Sequence, residues 1–268
     1  MRRFAVITFV LLLAACEPGR APQSSGPQAE GAAAPVQVRP AKFGDANPHQ
    51  WDGRHPGSYA VHGIDASRWQ GLIDWPTARE NGVNFAFLKA TEGGDIVDAT
   101  FAPNWAAARR ADVPVGAYHF WYHCRPAAEQ ARWFIRHVPR VAGALPPVLD
   151  MEWTPFSPTC TRRPPPETIR AEARIFLDMI EAHYGQRPII YSAPDFFETN
   201  EIWKLGRYEF WLRSVAGHPR DIYAGRHWTF WQYSGTGLVP GIRGKADLNA
   251  FAGSAADWSA WLARNTQR

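Results

Sequence analysis

The sequence predicts an α/β protein with a single folded domain whose strands close into a (β/α)8-like barrel. Three observations carry this expectation. Eight β-like runs recur between residues 60 and 251, helical stretches separate the early ones, and several runs are apolar almost without interruption. Unbroken apolar runs belong to strands covered on both faces.

The β-like runs fall at residues 60–65, 84–90, 114–120, 147–152, 188–192, 210–213, 228–233 and 247–251. Helical spacing places helices over 75–81, 101–111, 127–137 and 167–184. In the last of these, Ile169, Ala173, Phe176, Ile180 and Tyr184 return every three or four residues and form one apolar stripe. Pro166 opens that helix and Gly185 stops it. Beyond about residue 206 the segments are short, aromatic and poor in helix, so the last third of the barrel is expected to be irregular. No glycine-rich phosphate fingerprint follows the first run, which argues against an open, doubly wound nucleotide-binding sheet.

Ahead of the domain, residues 1–16 have the build of an export signal. Arg2 and Arg3 precede an apolar stretch at 4–13 that is short for a membrane span, and Ala14 and Ala15 follow it. Leu13-Ala14-Ala15-Cys16 resembles a bacterial lipobox, in which Cys16 is acylated and becomes the new N-terminus. Diacylglycerol and an amide-linked chain together provide stable membrane attachment. The expectation is an exported lipoprotein facing the periplasm or the cell surface. Residues 17–57, rich in Pro, Gly, Ala and Ser, read as a flexible linker whose last residues drape on the domain, and 58–268 as the catalytic domain. With Cys16 acylated, Cys124 and Cys160 remain as an even pair in an oxidising compartment, and each follows a predicted strand at the same barrel end. A disulfide between them is expected.

Charge excludes little. The formal net charge of +4 falls to +2 once Arg2 and Arg3 leave with the signal, and the arginines are scattered. No basic run or nucleic-acid motif is present, so nucleic acid is not an expected partner. Thirteen tryptophans lean toward flat ligands such as sugars, although most serve as packing residues.

The strongest chemical signal is Leu149-Asp150-Met151-Glu152. Alternate strand residues share a face, so Asp150 and Glu152 point the same way with Cβ atoms about 6.5–7 Å apart. Two carboxylates at a strand's C-terminal end raise the pKa of one by repulsion, which supplies a protonated acid beside an ionised base. The spacing does not choose between retention and inversion. Asp65 ends the first run and Asp247 begins the last, so barrel closure makes them neighbours. Asp247 nonetheless fails the expectation that barrel sites lie at strand C-terminal ends. His62, His119 and His123 leave a metal-dependent reading open on residue type.

Taken in order, these residues resemble glycoside hydrolase family 25, the Chalaropsis-type lysozymes. The resemblance covers nearly all of residues 61–251. It includes His62-Gly63-Ile64-Asp65-Ala66-Ser67, Trp69-Gln70-Gly71, Phe87-Leu88-Lys89-Ala90-Thr91-Glu92-Gly93 and Phe101-Ala102-Pro103-Asn104-Trp105. It continues through Gly116-Ala117-Tyr118-His119-Phe120, Leu149-Asp150-Met151-Glu152, Ile190-Tyr191-Ser192, Trp231-Gln232-Tyr233-Ser234 and Asp247-Leu248-Asn249-Ala250-Phe251.

The resemblance implies a flattened (β/α)5(β)3 barrel that cleaves the β-1,4 bond between N-acetylmuramic acid and N-acetylglucosamine. By position, Glu152 is the general acid and Asp150 supports the substrate's 2-acetamido group, whose oxygen serves as internal nucleophile. Asp65 and Asp247 line the same pocket, and Tyr118, Tyr191 and Trp231 contact sugar. The implied partner is a peptidoglycan glycan strand met by a monomer, with no cofactor and no metal. Phe210-Trp211-Leu212-Arg213 departs from the family pattern by placing Arg213 where a small residue is common, and the Cys160 loop reshapes one rim. Two other readings stand beside the muramidase: a non-catalytic glycan clamp on the wall, and a hydrolase of another amino-sugar polymer such as chitin.

Overall fold

The computed structural model describes residues 37–268. The expected export signal, with Cys16, and the first part of the expected linker lie outside the described residues. Among the described residues ten strands occur: β1 (Gly44–Asp45), β2 (His62–Ala66), β3 (Ala86–Glu92), β4 (Ile96–Val97), β5 (Val115–Phe120), β6 (Val148–Met151), β7 (Ile189–Ser192), β8 (Glu209–Arg213), β9 (Phe230–Leu238) and β10 (Ala246–Phe251). Seven helices accompany them: α1 (Trp75–Glu80), α2 (Phe101–Arg110), α3 (Ala127–His137), α4 (Pro166–Tyr184), α5 (Pro194–Thr199), α6 (Pro219–Ile222) and α7 (Ala255–Asn265).

Eight of the strands close a barrel in the order β2-β3-β5-β6-β7-β8-β9-β10, with β10 returning to β2. Pairings from β2 through β9 are parallel, whereas β10 is antiparallel to both neighbours. The expected α/β barrel with a helix-poor last third is what the chain forms. Its final strand arrives by a hairpin from β9 and so runs in reverse.

Local sequence explains the helices that frame it. α4 carries Pro at its start and ends on Gly185 at φ 68°, a left-handed conformation that glycine adopts without Cβ strain. Asp74 caps α1 by accepting from the Thr77 amide, and Ser254 and Asp257 form a reciprocal capping box on α7.

Inside the barrel, alternate residues build a solid floor. Phe87 on β3 stacks on Trp211 of β8 at 4.8 Å between ring centroids, and both Phe87 and Phe85, just ahead of β3, meet Phe230 on β9. Bulk on β3 demands its absence on the neighbouring strands. A Cβ at Gly63 would stand 2.4 Å from the Phe85 carbonyl oxygen, and one at Gly116 would stand 2.8 Å from the Phe87 ring. The lower end is shut by α7, whose Trp258 and Trp261 pack on Phe230 and Phe251. Among the described residues α7 therefore covers one end of the barrel and leaves uncovered the other, where the parallel strands finish.

One boundary departs from the sequence reading. Residues 37–57 form an arm on the barrel, so the expected draping of the linker's last residues extends over this whole stretch. Asn84 accepts from the Arg39 amide and donates to the Arg39 carbonyl, β1 pairs with the end of β9, and Trp51 meets Trp231 edge-on at 5.2 Å. Phe43, Trp51 and Tyr59 pack against the main core. The physical reason is the missing helices. The outer faces of β9 and β10 are apolar and have no α-layer, so another segment must exclude water from them. Pro- and Gly-rich composition concealed those aromatic anchors.

Candidate active site

All four predicted carboxylates stand at the open end. β6 presents Asp150 near its end and Glu152 just beyond it, on the inward face with Val148. Asp65 near the end of β2 lies directly opposite Asp247 in the antiparallel β2–β10 register. The reversed direction of β10 removes the difficulty with Asp247: the first residues of an antiparallel strand share an end with the last residues of its parallel neighbours.

Beneath the carboxylates runs a polar network. Asp65 Oδ1 accepts from Gln232 Nε2 at 2.9 Å and from Asn249 Nδ2 at 2.8 Å. Tyr191 donates its hydroxyl to Gln232 Oε1 at 2.9 Å, and Trp211 Nε1 donates to Asn249 Oδ1 at 2.7 Å. Each amide thereby has its oxygen occupied and its nitrogen aimed at Asp65, which fixes that carboxylate's position. Asp150 is different. It is buried, and its Oδ1 has no hydrogen-bond partner among the described residues. An orphaned buried acceptor costs about 1–3 kcal/mol, a cost that an incoming N–H donor offsets.

Burial is the leading cause of every carboxylate shift in the cluster. It pushes Asp65 well above the usual carboxylate range; the charge of Asp247 adds to this, and the Asn249 and Gln232 hydrogen bonds oppose it. Burial raises Asp150 likewise, with Glu152 adding and Lys89 opposing. Asp247 is raised to about 6 by burial against the pull of Arg213. Glu152 is raised by burial, opposed by Arg213 and Lys89 and supported more weakly by Asp195 and Asp247. The sequence reasoning gave like-charge repulsion as the reason that Glu152 holds a proton. Desolvation in the barrel mouth comes first, and two cations work against it.

His123 steadies Glu152 from behind. Trp121 Nε1 donates to His123 Nδ1 at 3.1 Å, so the ring proton sits on Nε2, which donates to the Glu152 carbonyl oxygen at 3.2 Å. Burial lowers the pKa of His123 and keeps the ring neutral. Next to it, Cys124 and Cys160 form a disulfide with Cα atoms 5.6 Å apart, within the normal range. The bond joins the loop after β5 to the loop after β6, which begins with Glu152.

A family model for glycosyl hydrolases family 25 matches residues 64–242, more than half of the chain. The chain belongs to glycoside hydrolase family 25. It is 37% identical over 214 residues to the uncharacterised protein YegX of Escherichia coli K12, covering 78% of this chain and 76% of that one. Against Lysozyme M1 of Streptomyces globisporus it is 35% identical over 221 residues, covering 77% and 72%. A solved family 25 glycosyl hydrolase from Bacillus anthracis superimposes with a TM-score of 0.72 at 32% identity, covering 81% of this chain and 98% of that one. The chain is a glycoside hydrolase.

Within this family 25 barrel, the predicted sugar contacts divide. Tyr118 and Tyr191 line the barrel interior with their rings against Trp211, Tyr191 in register with Asp150, and burial holds both phenols neutral. Trp231 is corrected: it is fully buried on the outer side of β9, and its Nε1 donates to the Ser214 carbonyl at 2.7 Å. Period-two alternation decides this, since Gln232 faces inward and its neighbour must face out. The three histidines do not come together as a metal site: His62 bonds Tyr233 and Tyr59, His119 bonds Thr91 and Gln130, and His123 is engaged as described. No group of three His, Cys, Asp or Glu arranged for a metal occurs among the described residues.

Sequence reasoning gave no role in this site to Gln232, Asn249 or Lys89, quoted only within the family motifs, and weighed His123 only as a metal ligand. Asn249 had a signal, because it lies two residues from Asp247 and so on the same face. His123 had none, since its role depends on where the loop after β5 folds.

Proposed function

We propose that this family 25 enzyme is an exported muramidase that cleaves the β-1,4 bond between N-acetylmuramic acid and N-acetylglucosamine in peptidoglycan. The carrying observation is the gathering of Asp65, Asp150, Glu152 and Asp247 at the uncovered end of the barrel, with Glu152 raised by burial. Glu152 donates its proton to the glycosidic oxygen as that bond breaks. The substrate's 2-acetamido oxygen bonds to the anomeric carbon from the opposite face, and Asp150 Oδ1 accepts the acetamido N–H. Water then opens the cyclic intermediate, with Glu152 taking the water's proton. Asp65, anchored by Gln232 and Asn249, and Asp247 stabilise the positive charge that develops on the sugar.

Full-length protein is expected to release reducing ends from peptidoglycan, and Glu152→Gln to lower the rate by about 10²–10⁴. Wild-type turnover equal to that of the variant would support the glycan-clamp reading, and turnover of chitin oligomers alone would support the other polymer. Membrane anchoring through Cys16 is a further part of the proposal and is supported by the signal-like sequence alone. A lipid analogue should label wild type and not Cys16→Ser; equal labelling refutes the anchor.

A further inference from the structure

Arg213 closes β8 at the mouth of the barrel and has no counterpart in the chemistry above. In register it lies opposite Gln232, the residue that donates to Asp65. It shares the inward parity of Trp211, two residues earlier on the same strand, and its charge reaches both Glu152 and Asp247. Lys89, the other cation near these carboxylates, is held by Glu92 at 2.5 Å. Among the described residues Arg213 makes no side-chain hydrogen bond or ion pair, so its guanidinium N–H donors are available to a ligand.

Arg213 also lines a second space. A cleft of about 1180 Å³ runs between the outer wall of the barrel and the N-terminal arm, with Arg213, Tyr233 and Ser234 on the wall and His49 and Trp51 on the arm. That volume exceeds the roughly 300–1,000 Å³ of an ordinary small-molecule site. The cleft's own acid, Asp45, is occupied: it accepts from the Thr236 hydroxyl at 2.5 Å and from the Asn47 amide at 2.9 Å. Arg213 thus stands on the lip shared by the catalytic mouth and a roomy outer cleft.

We propose that Arg213 binds a carboxylate of the peptide stem carried by the muramoyl residue, and that the outer cleft receives this stem. The inference rests on the muramidase reading. A muramoyl residue bears its stem through an amide on the lactyl group, and that peptide ends in and carries carboxylates. A glycan seated over Glu152 must lead its stem across the rim of the barrel. A planar guanidinium matches a carboxylate with two parallel N–H bonds, which a small residue at this position cannot do. Arg213 is then a specificity residue, selecting strands whose stems retain free carboxylates.

The test measures binding on the full-length chain carrying Glu152→Gln, so that turnover does not intervene. Two ligands are titrated calorimetrically: a muramoyl oligosaccharide with its intact stem, and the same molecule with the stem carboxylates methyl-esterified. The free-carboxylate ligand is expected to bind about tenfold more tightly (about 1.4 kcal/mol). Adding Arg213→Met should reduce that preference below twofold while leaving the ester's affinity unchanged, and Arg213→Lys should restore most of it. Preference retained in Arg213→Met, or equal weakening of both ligands, overturns the inference. If neither ligand binds and wild type releases no reducing ends, the muramidase reading fails and takes this inference with it. Binding and turnover without preference sink the inference alone.

Discussion

Replacing Asp247 by Asn tests whether the site stores folding free energy as buried, ionisable carboxylate. Asp247 lies opposite Asp65 across the antiparallel β2–β10 pair, where like charges repel. Its pKa rises from 3.8 to about 6 on folding, chiefly by burial. At about 1.4 kcal/mol for each factor of ten, that rise corresponds to about 3 kcal/mol. The sign follows from which state holds the proton. Below about pH 4 both folded and unfolded chains are protonated at this position and no penalty exists. Between about pH 4 and 6 the unfolded chain ionises while the folded chain keeps its proton, so stability falls as pH rises. Above about pH 6 both are ionised and the penalty is constant.

Asn does not titrate, so Asp247→Asn should be more stable than wild type by up to about 3 kcal/mol at pH 7–8, and that advantage should vanish by pH 4. Urea unfolding followed by tryptophan fluorescence at pH 4, 5, 6, 7 and 8 measures it. Because Asp65 and Asp247 titrate as a pair, the gain is an upper value, and Asp65→Asn should show a gap of the same sign. A stability difference between variant and wild type that stays flat from pH 4 to 8 would refute the reasoning. The same variant should lose activity while gaining stability, as expected where a strained charge cluster serves catalysis.

Other outcomes follow from the same structure. Activity governed by Glu152 as acid should be full below its raised pKa and fall as pH climbs through it. Removing Arg213, whose charge opposes that rise, should move the basic limb of kcat to higher pH; an unmoved limb would contradict their proximity. Cys160→Ser should destabilise by about 4 kcal/mol, from the 36-residue separation of the bonded pair, and lower Tm by on the order of 10 °C. It should also lower kcat more than it raises KM, because the loop it frees begins at Glu152. A chain starting at residue 58 should unfold at lower urea than one starting at residue 37, and Trp51→Ala within the arm, where the ring is partly buried, should by itself cost about 1–2 kcal/mol. Equal midpoints for the two chains would mean that the arm contributes nothing. Trp231→Phe should lower stability while leaving KM for glycan unchanged.

Much of the site was readable along the chain because its chemistry is carried by local strand pattern. Asp150 and Glu152 share a face by alternation, and Asp65 ends an apolar run, so their placement at one barrel end needs only the strand period and parallel order. The signals for α4 were equally local: an apolar stripe, a proline and a glycine in sequence order. The disulfide followed from counting cysteines and noting that each follows a predicted strand at the same barrel end.

What failed was anything set by the far side of the fold. Trp231 looked like a sugar contact because the sequence does not say which parity of β9 faces in; that is decided by Gln232 reaching Asp65 across the barrel. Residues 37–57 looked like tether because composition averages over Phe43 and Trp51, and those rings matter only once a helix-less wall exists for them to cover.

The amino-acid sequence by itself determined the α/β barrel, its helix-poor end and the identity of the four acidic residues, because hydrophobic period and strand alternation are properties of neighbouring residues. Tertiary structure alone decided the reversal of β10 that puts Asp247 at the end where the parallel strands finish, the burial that raises Glu152 against the pull of two cations, and the meeting of Arg213 with the outer cleft. Each of those depends on free energies between groups distant in sequence, which acquire a value only when the barrel closes and removes water from between them.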